Sequence, residues 1–223
     1  VTKTPTLKEE EAEKLKKTDK DKMPMNSLII SRLSGGMETI DSLKSYKLSE
    51  TADWLAYQRG SKKASMLYIR SLDGMQQDSF PAVSDFGFAQ KGNVLYVVSA
   101  SVLYTYIPQK GNNRISDKKG VFKKIAFNEN GSKLAYLFCP HKDSAATRSS
   151  LYLAENNTPG KLIAERGDKA FPASWIISEN APLYFSENAS RLFFGTAPEP
   201  KQQATTLLAE NRPAEQVWSW DEK

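Results

Sequence analysis

Past residue 22 the chain reads in period two. Short apolar-rich runs recur at 28–33, 54–58, 66–69, 94–99, 102–107, 134–138, 151–153 and 191–195, each bounded by polar turn clusters. Alternation over four to eight residues, rich in Tyr, Phe, Val, Ile and Leu, predicts half-buried or buried β-strands. No helical stripe of comparable strength follows residue 22, so the body is read as all-β. The first 22 residues differ, with seven Lys and six acidic side chains among them. Thr6-Leu7-Lys8-Glu9 fits a capping box. Glu10 to Lys14 and Glu13 to Lys17 are favourably oriented i,i+4 pairs. A short helix over about residues 7–17 is expected, in which only Leu7, Ala12 and Leu15 could face a core, followed by a polar linker. The division is a charged lead-in at 1–22 and a β-body at 23–223.

The strands recur in two combs. With Leu48, Phe88, Phe127 and Phe185 as anchors, Leu55, Leu95, Leu134 and Leu192 stand seven residues on. Tyr57, Val97, Tyr136 and Phe194 stand nine on, with Ala56, Tyr96, Ala135 and Phe193 between them. Glu50, Gln90, Glu129 and Glu187 come two residues after the anchors. A second comb runs in step at Leu67-Tyr68, Leu103-Tyr104 and Leu151-Tyr152, with a candidate earlier copy at Leu28-Ile29. A turn glycine follows each copy, at Gly35, Gly74, Gly111 or Gly160. The first three anchors lie 40 and 39 residues apart, and four short strands per unit of that size is the pattern of a β-propeller blade. Asn130-Gly131 is read as a tight hairpin turn. The last spacing, 58, implies insertions around 141–149 and 160–180. The expected fold is a partial β-propeller of about four to five four-stranded antiparallel blades; a β-sandwich is the competing arrangement.

Composition narrows the chemistry. Of 223 residues, one is Cys (Cys139) and one is His (His141), which excludes an internal disulfide, a multi-Cys zinc site and a paired-His metal centre. No metal and no cofactor is expected. The net charge of +5 comes from interleaved Lys, Arg, Asp and Glu, and without a one-sign stripe it reads as solvated surface, with no nucleic-acid partner. The best apolar stretch, 94–107, is shorter than the roughly 20 residues a bilayer needs. The chain opens Val1-Thr2-Lys3, which suggests a processed or trimmed polypeptide.

No catalytic set emerges. Cys139-Pro140-His141 lacks an element to complete a Cys/His pair and reads as a strand-end Cys and a loop His. Ser34-Gly35-Gly36 precedes no helix N-terminus and reads as a hairpin turn. Glu50, Gln90, Glu129 and Glu187 are read as belonging to equivalent turns instead of one acid/base pair. Asn156-Asn157-Thr158 and Asn188-Ala189-Ser190 are sequons marking exposed turns. Trp175, Trp218 and Trp220 either pack or line a peptide-binding face.

Several stretches carry a family resemblance. They are Asp41-Ser42-Leu43-Lys44, Ser45-Tyr46-Lys47-Leu48-Ser49 with Trp54-Leu55-Ala56-Tyr57, and the run from Phe127-Asn128-Glu129-Asn130-Gly131 to Leu134-Ala135-Tyr136. More specific is Arg191-Leu192-Phe193-Phe194-Gly195-Thr196-Ala197-Pro198 followed by Val217-Trp218-Ser219-Trp220. Together they resemble the N-terminal propeller region of prolyl oligopeptidase family serine peptidases, especially large secreted bacterial members. The resemblance implies a propeller that filters peptide access to an α/β-hydrolase domain bearing the catalytic triad, in a periplasmic or secreted setting. The sequence holds no Gly-x-Ser-x-Gly elbow, so no catalytic residue carries over. The expected role is non-catalytic, and a stand-alone propeller scaffold that binds a protein or ligand is the alternative. Open blade edges are expected to favour self-association.

Overall fold

Thr6 closes the capping box as its sequence dictates. Its hydroxyl accepts the Glu9 amide at 3.3 Å, while the Glu9 carboxylate accepts the Thr6 amide at 2.7 Å. The computed structural model describes residues 2–16, 25–60, 65–140 and 149–199. Strand β1 (Thr2–Lys3) precedes helix α1 (Leu7–Leu15), which is capped at Lys16. Leu7 and Leu15, two of the three residues able to face a core, are 77% and 85% exposed, and no residue of α1 is buried. The lead-in docks through β1, which pairs antiparallel with β2 (Asn26–Ser31). Lys17, and with it the Glu13 to Lys17 pair, lies outside the described residues; the Glu13 carboxylate lies 3.0 Å from Lys16 Nζ.

Three complete four-stranded antiparallel meanders follow. After β3 (Met37–Leu48), the first runs through β4 (Trp54–Gly60), β5 (Ser65–Ser71) and β6 (Gln77–Pro81). The second is β7 (Val83–Phe88), β8 (Leu95–Ser99), β9 (Val102–Ile107) and β10 (Gly111–Ser116). The third is β11 (Val121–Phe127), β12 (Lys133–Cys139), β13 (Ser150–Glu155) and β14 (Lys161–Ala164). A fourth begins with β15 (Trp175–Ile177) and β16 (Tyr184–Phe185) against β17 (Leu192–Phe193) and β18 (Thr196–Pro198). This is a partial β-propeller, with strands A to D in each of the three complete blades.

Strand β3 is two strands in one. Residues 37–43 pair with β2, and 43–48 pair with β4. Ser42 sits between them at φ 57°, six residues before its anchor, where Ala82 (φ 48°) joins β6 to β7. A bulge follows each, between Leu43 and Ser45 and between Val83 and Asp85. The β2–β3 hairpin is therefore the C–D half of a blade that precedes the first complete one, and Leu28-Ile29 is a true early copy of the second comb. Glu38 on this half-blade accepts both Arg70 guanidinium nitrogens at 2.7 Å, a bidentate tie to β5.

Every anchor pairs with the residue seven on: Leu48 with Leu55, Phe88 with Leu95, Phe127 with Leu134, Phe185 with Leu192. The core divides into four clusters, one per junction between neighbouring blades. The period-two pattern explains this. Leu55 and Tyr57 pack toward the half-blade, Leu95 and Val97 toward blade 1, and Leu134 and Tyr136 toward blade 2; Leu192 and Phe194 pack toward blade 3. The intervening Ala56 and Tyr96 pack toward the next blade. In the second comb Leu67, Leu103 and Leu151 face forward while Tyr68, Tyr104 and Tyr152 face back. Central strands are thus buried on both faces, as in residues 54–58 of β4.

Two turns differ from expectation. Asn130-Gly131 is not a two-residue hairpin. The connection spans 128–133, closed by the Asn128 amide on the Lys133 carbonyl at 3.0 Å, and only Gly131 is left-handed, at φ 75°. The Asn128 and Asn130 side chains satisfy the Lys133 and Ser132 amides, which stabilises the longer loop. Gly35, Gly74 and Gly111 have positive φ, but in the third blade Asn156 and Asn157 take that role. Gly160 is instead required for space, because a Cβ there would lie 2.3 Å from the Tyr136 hydroxyl.

The fourth blade departs most. The strand read at 191–195 is broken into β17 and β18, because the facing A strand carries extra residues at 178–183 between β15 and β16. The Ser178 amide still reaches the Gly195 carbonyl at 2.9 Å, so the hairpin is continuous around a large bulge. The long spacing before Phe185 arises from this bulge, from 165–174 between β14 and β15, and from 140–149 between β12 and β13.

Candidate functional site

The A–B turns form a repeated device. Ser49, Ala89, Asn128 and Ser186 each donate their amide across the turn mouth, to Trp54, Val94, Lys133 and Arg191. Ser49 Oγ, Asn128 Oδ1 and Ser186 Oγ accept the return amides at 3.1, 2.8 and 3.1 Å. Four residues past each anchor the backbone is left-handed: Ala52 at 55°, Gly92 at 87°, Gly131 at 75° and Ala189 at 52°. Alanine tolerates this conformation at a cost of about 1 kcal/mol, so the geometry is imposed by the turn.

Successive turns touch around the axis. Thr51 Oγ1 lies 3.5 Å from Asn93 Oδ1, the Lys91 amide donates to the Glu129 carbonyl at 2.6 Å, and Lys133 Nζ donates to the Ala189 carbonyl at 3.1 Å. Glu50, Glu129 and Glu187 are thereby carried to one end of the propeller, in equivalent turns as expected. The sequence reading missed Lys91, whose amine lies 2.5 Å from the Glu129 carboxylate. Its pKa is held above the ordinary value, first by the Glu129 hydrogen bond and charge and, further off, by the charges of Glu50 and Glu187. The result is a mixed-charge rim on short turns.

A second group of contacts joins the fourth blade to the third. Glu179, from the bulge at 178–183, accepts Lys123 Nζ at 2.5 Å and Ser149 Oγ at 2.6 Å. It thus ties the fourth blade to the first strand of the third and to the end of the 140–149 connection. Partial burial pushes the Glu179 carboxyl up, but the hydrogen bonds from Lys123 and Ser149 and the Lys123 charge outweigh it and hold the group below the usual carboxylate range. A lowered folded pKa stabilises the fold above the ordinary value of 4.5, and that contribution is lost as pH falls through the folded value. Wild type should therefore exceed Glu179→Gln in urea midpoint at neutral pH, and the gap should close below about pH 4.5. A gap that is independent of pH would remove Glu179 from this role. Arg166, Phe171, Pro172 and Trp175 line an open cleft of about 460 Å³, and Arg166 pairs with Glu199.

Among the described residues no three His, Cys, Asp or Glu side chains come close enough to hold a metal ion. Cys139 is buried at the end of β12, 1% exposed, and His141 lies outside the described residues. Ser34-Gly35-Gly36 forms the β2–β3 turn, with the Gly35 amide on the Arg32 carbonyl. Asn156-Asn157-Thr158 and Asn188-Ala189-Ser190 are turns; the Asn188 side-chain oxygen is engaged by Ser186 and Ser190. Trp175 is half-buried in β15, and Trp218 and Trp220 lie outside the described residues.

No protein-family model matches the sequence, and no curated protein matches it. Solved structures similar to the chain include the β-propeller domain of the Trilobed protease from Pyrococcus furiosus, described as having an open velcro topology. It is 13% identical at a TM-score of 0.47, over 79% of this chain and 57% of that one. TolB from Acinetobacter baumannii is 14% identical at 0.46, over 78% and 44%. The tricorn protease is 12% identical at 0.48, over 70% and 16%. The chain therefore spans less than two thirds of each of these proteins.

Proposed function

We propose that the chain is the non-catalytic propeller segment of a prolyl-oligopeptidase-like serine peptidase, admitting short peptides to a hydrolase domain on polypeptide outside this sequence and excluding folded proteins. In this reading residues 23–223 belong to the propeller and 1–22 are its lead-in. The reading rests on the motif resemblance from Asp41 to Trp220. The observation that carries the filtering role is the charged axial rim, where Glu50, Lys91, Glu129 and Glu187 stand on turns that brace one another. A sieve needs rigid, charged edges and no reactive group of its own, and this rim has that character. A periplasmic or secreted setting is part of the same proposal. No described helix is long and apolar enough to cross a membrane.

The purified chain should not turn over chromogenic peptides, whether proline-containing or N-acylated. Turnover that survives purification and yields to a serine-directed inhibitor would place catalysis inside these residues and end the proposal. The scaffold reading is favoured by one observation, the cleft lined by Trp175. The reading frame beyond Lys223 separates the two. A nucleophile elbow downstream supports the peptidase, and a stop codon supports the scaffold.

A further inference from the structure

In the three complete blades the leucine of the second comb faces a buried B-strand partner: Leu67 faces Gln58, Leu103 faces Val98 and Leu151 faces Leu137. One place on, Tyr68, Tyr104 and Tyr152 face Tyr57, Val97 and Tyr136. Leu28 is the half-blade's copy of this leucine, and its partner is Thr2 of β1. Strand β1 therefore stands where a B strand belongs, and among the described residues no other strand lies on that side of β2.

Three observations mark β1 as a weak occupant of the place. The first is exposure. Gln58, Val98 and Leu137 are buried, whereas Thr2 and Lys3 are both exposed. Val98 and Leu137 pack into the junction with the following blade. Thr2 reaches the corresponding junction through a hydroxyl contact with Tyr46 at 3.4 Å, which leaves Tyr46 39% exposed.

The second is pairing. The ladder runs no further than Lys3 toward the helix, and Pro5 has no amide to extend it. The third is the hold of the lead-in. No residue of α1 is buried, and a cavity of about 330 Å³ is shared by Ala12 of the helix and by Met25 and Ser27 at the start of β2. The sheet behind the edge is already built, because Leu28, Ile40 and Leu43 pack against Leu55 and Tyr57.

We propose that the inner edge of β2 is a strand-addition site, held by β1 as a displaceable placeholder, and that it takes an extended apolar segment of B-strand character running antiparallel to β2. The chemistry of the partner follows from the complete blades. It carries an aromatic or branched side chain opposite Ile29, as Tyr57, Val97 and Tyr136 are placed, and an apolar one opposite Leu28, as Val98 and Leu137 are placed. Main-chain hydrogen bonds supply affinity in such a mode, and the alternate side chains supply selectivity. The inference is independent of the peptidase reading, since it concerns one edge of the half-blade.

Lys3 and Ser27 are directly opposed, a spacing of roughly 4.5–5.5 Å at Cα and within disulfide reach. Lys3→Cys with Ser27→Cys, once oxidised, locks β1 in place. The probe is a fluorescent peptide of residues 132–138 with a lysine tail, which carries Tyr136 and Leu137 in the required order. The oxidised chain should bind it at least tenfold more weakly than wild type, and reduction should restore binding. Deleting residues 1–16 should strengthen binding at least tenfold, and Tyr136→Pro in the peptide should abolish it. Equal binding by the oxidised and reduced chains would overturn the proposal, as would the absence of saturable binding to the reduced and shortened chains. Dimerisation of the shortened chain that the peptide does not reverse would give the edge to a second copy and overturn it equally.

Discussion

Tyr136→Ala is expected to lower the stability of the chain by about 4 kcal/mol, read as a shift in denaturant midpoint at unchanged slope. Tyr136 is the largest fully buried side chain among the described residues. Its ring stacks on Tyr152 at 5.4 Å and 9° and meets Phe122 edge-on at 5.6 Å. Truncation would empty the junction between the second and third blades, where Leu134, Phe138 and Ile115 converge. A loss of that size is a large share of the 5–15 kcal/mol typical of a domain. The Tyr136 hydroxyl adds a specific control. Gly160→Ala should cost about 2 kcal/mol by driving a methyl into that hydroxyl, and Tyr136→Phe should relieve most of it. If the two changes simply add, the close approach is not what fixes glycine at 160.

Gly120→Ala should cost about 3 kcal/mol, at the upper end of overpacking effects, because the obstacle is not a side chain that can rotate away. A Cβ at Gly120 would stand 2.3 Å from the Cys139 carbonyl oxygen and 2.7 Å from the Phe138 ring. This is where the second blade hands the chain to the third, so relief would require β11 to part from β12. Val121 and Phe122 pair with Cys139 and Phe138 there, and exchange of their amides should accelerate in the variant. Wild-type stability and exchange in Gly120→Ala would mean that the handover is looser than its geometry.

What the sequence disclosed, and what it hid, follows from burial. Inner strands were legible because both faces are packed: 54–57 and 134–138 are continuous apolar runs, and the residues seven and nine past each anchor point to the same junction. Outer strands were expected to exist but could not be located. Gln77–Pro81, Gly111–Ser116 and Lys161–Ala164 each contribute one buried apolar side chain, Phe80, Ile115 or Ala164, and the rest is largely polar or exposed. A single buried apolar residue in a strand of four to six leaves no periodicity to detect. The double identity of Met37–Leu48 was hidden for a different reason. A single left-handed Ser42 divides it, and serine gives no warning of that conformation.

The axial rim was half legible. The recurrence of Glu50, Gln90, Glu129 and Glu187 located the turns. Lys91 falls three past its anchor where the other copies have Thr51, Asn130 and Asn188, so the repeat itself offered no reason to expect a cation there. The Glu179–Lys123–Ser149 tie joins residues 56 and 30 positions apart across an inserted bulge, and no local pattern announces it.

The division of the core into junctions between neighbours bears on the ancestry of the chain. Each packing unit is shared by two adjacent sheets and no others, so a tandem duplication of one coding module would bring its own complementary surface with it. Such a gene can gain or lose whole modules while the rest keep their interior chemistry. The divergent segment lengths near its downstream end are then places where a late copy has been free to drift.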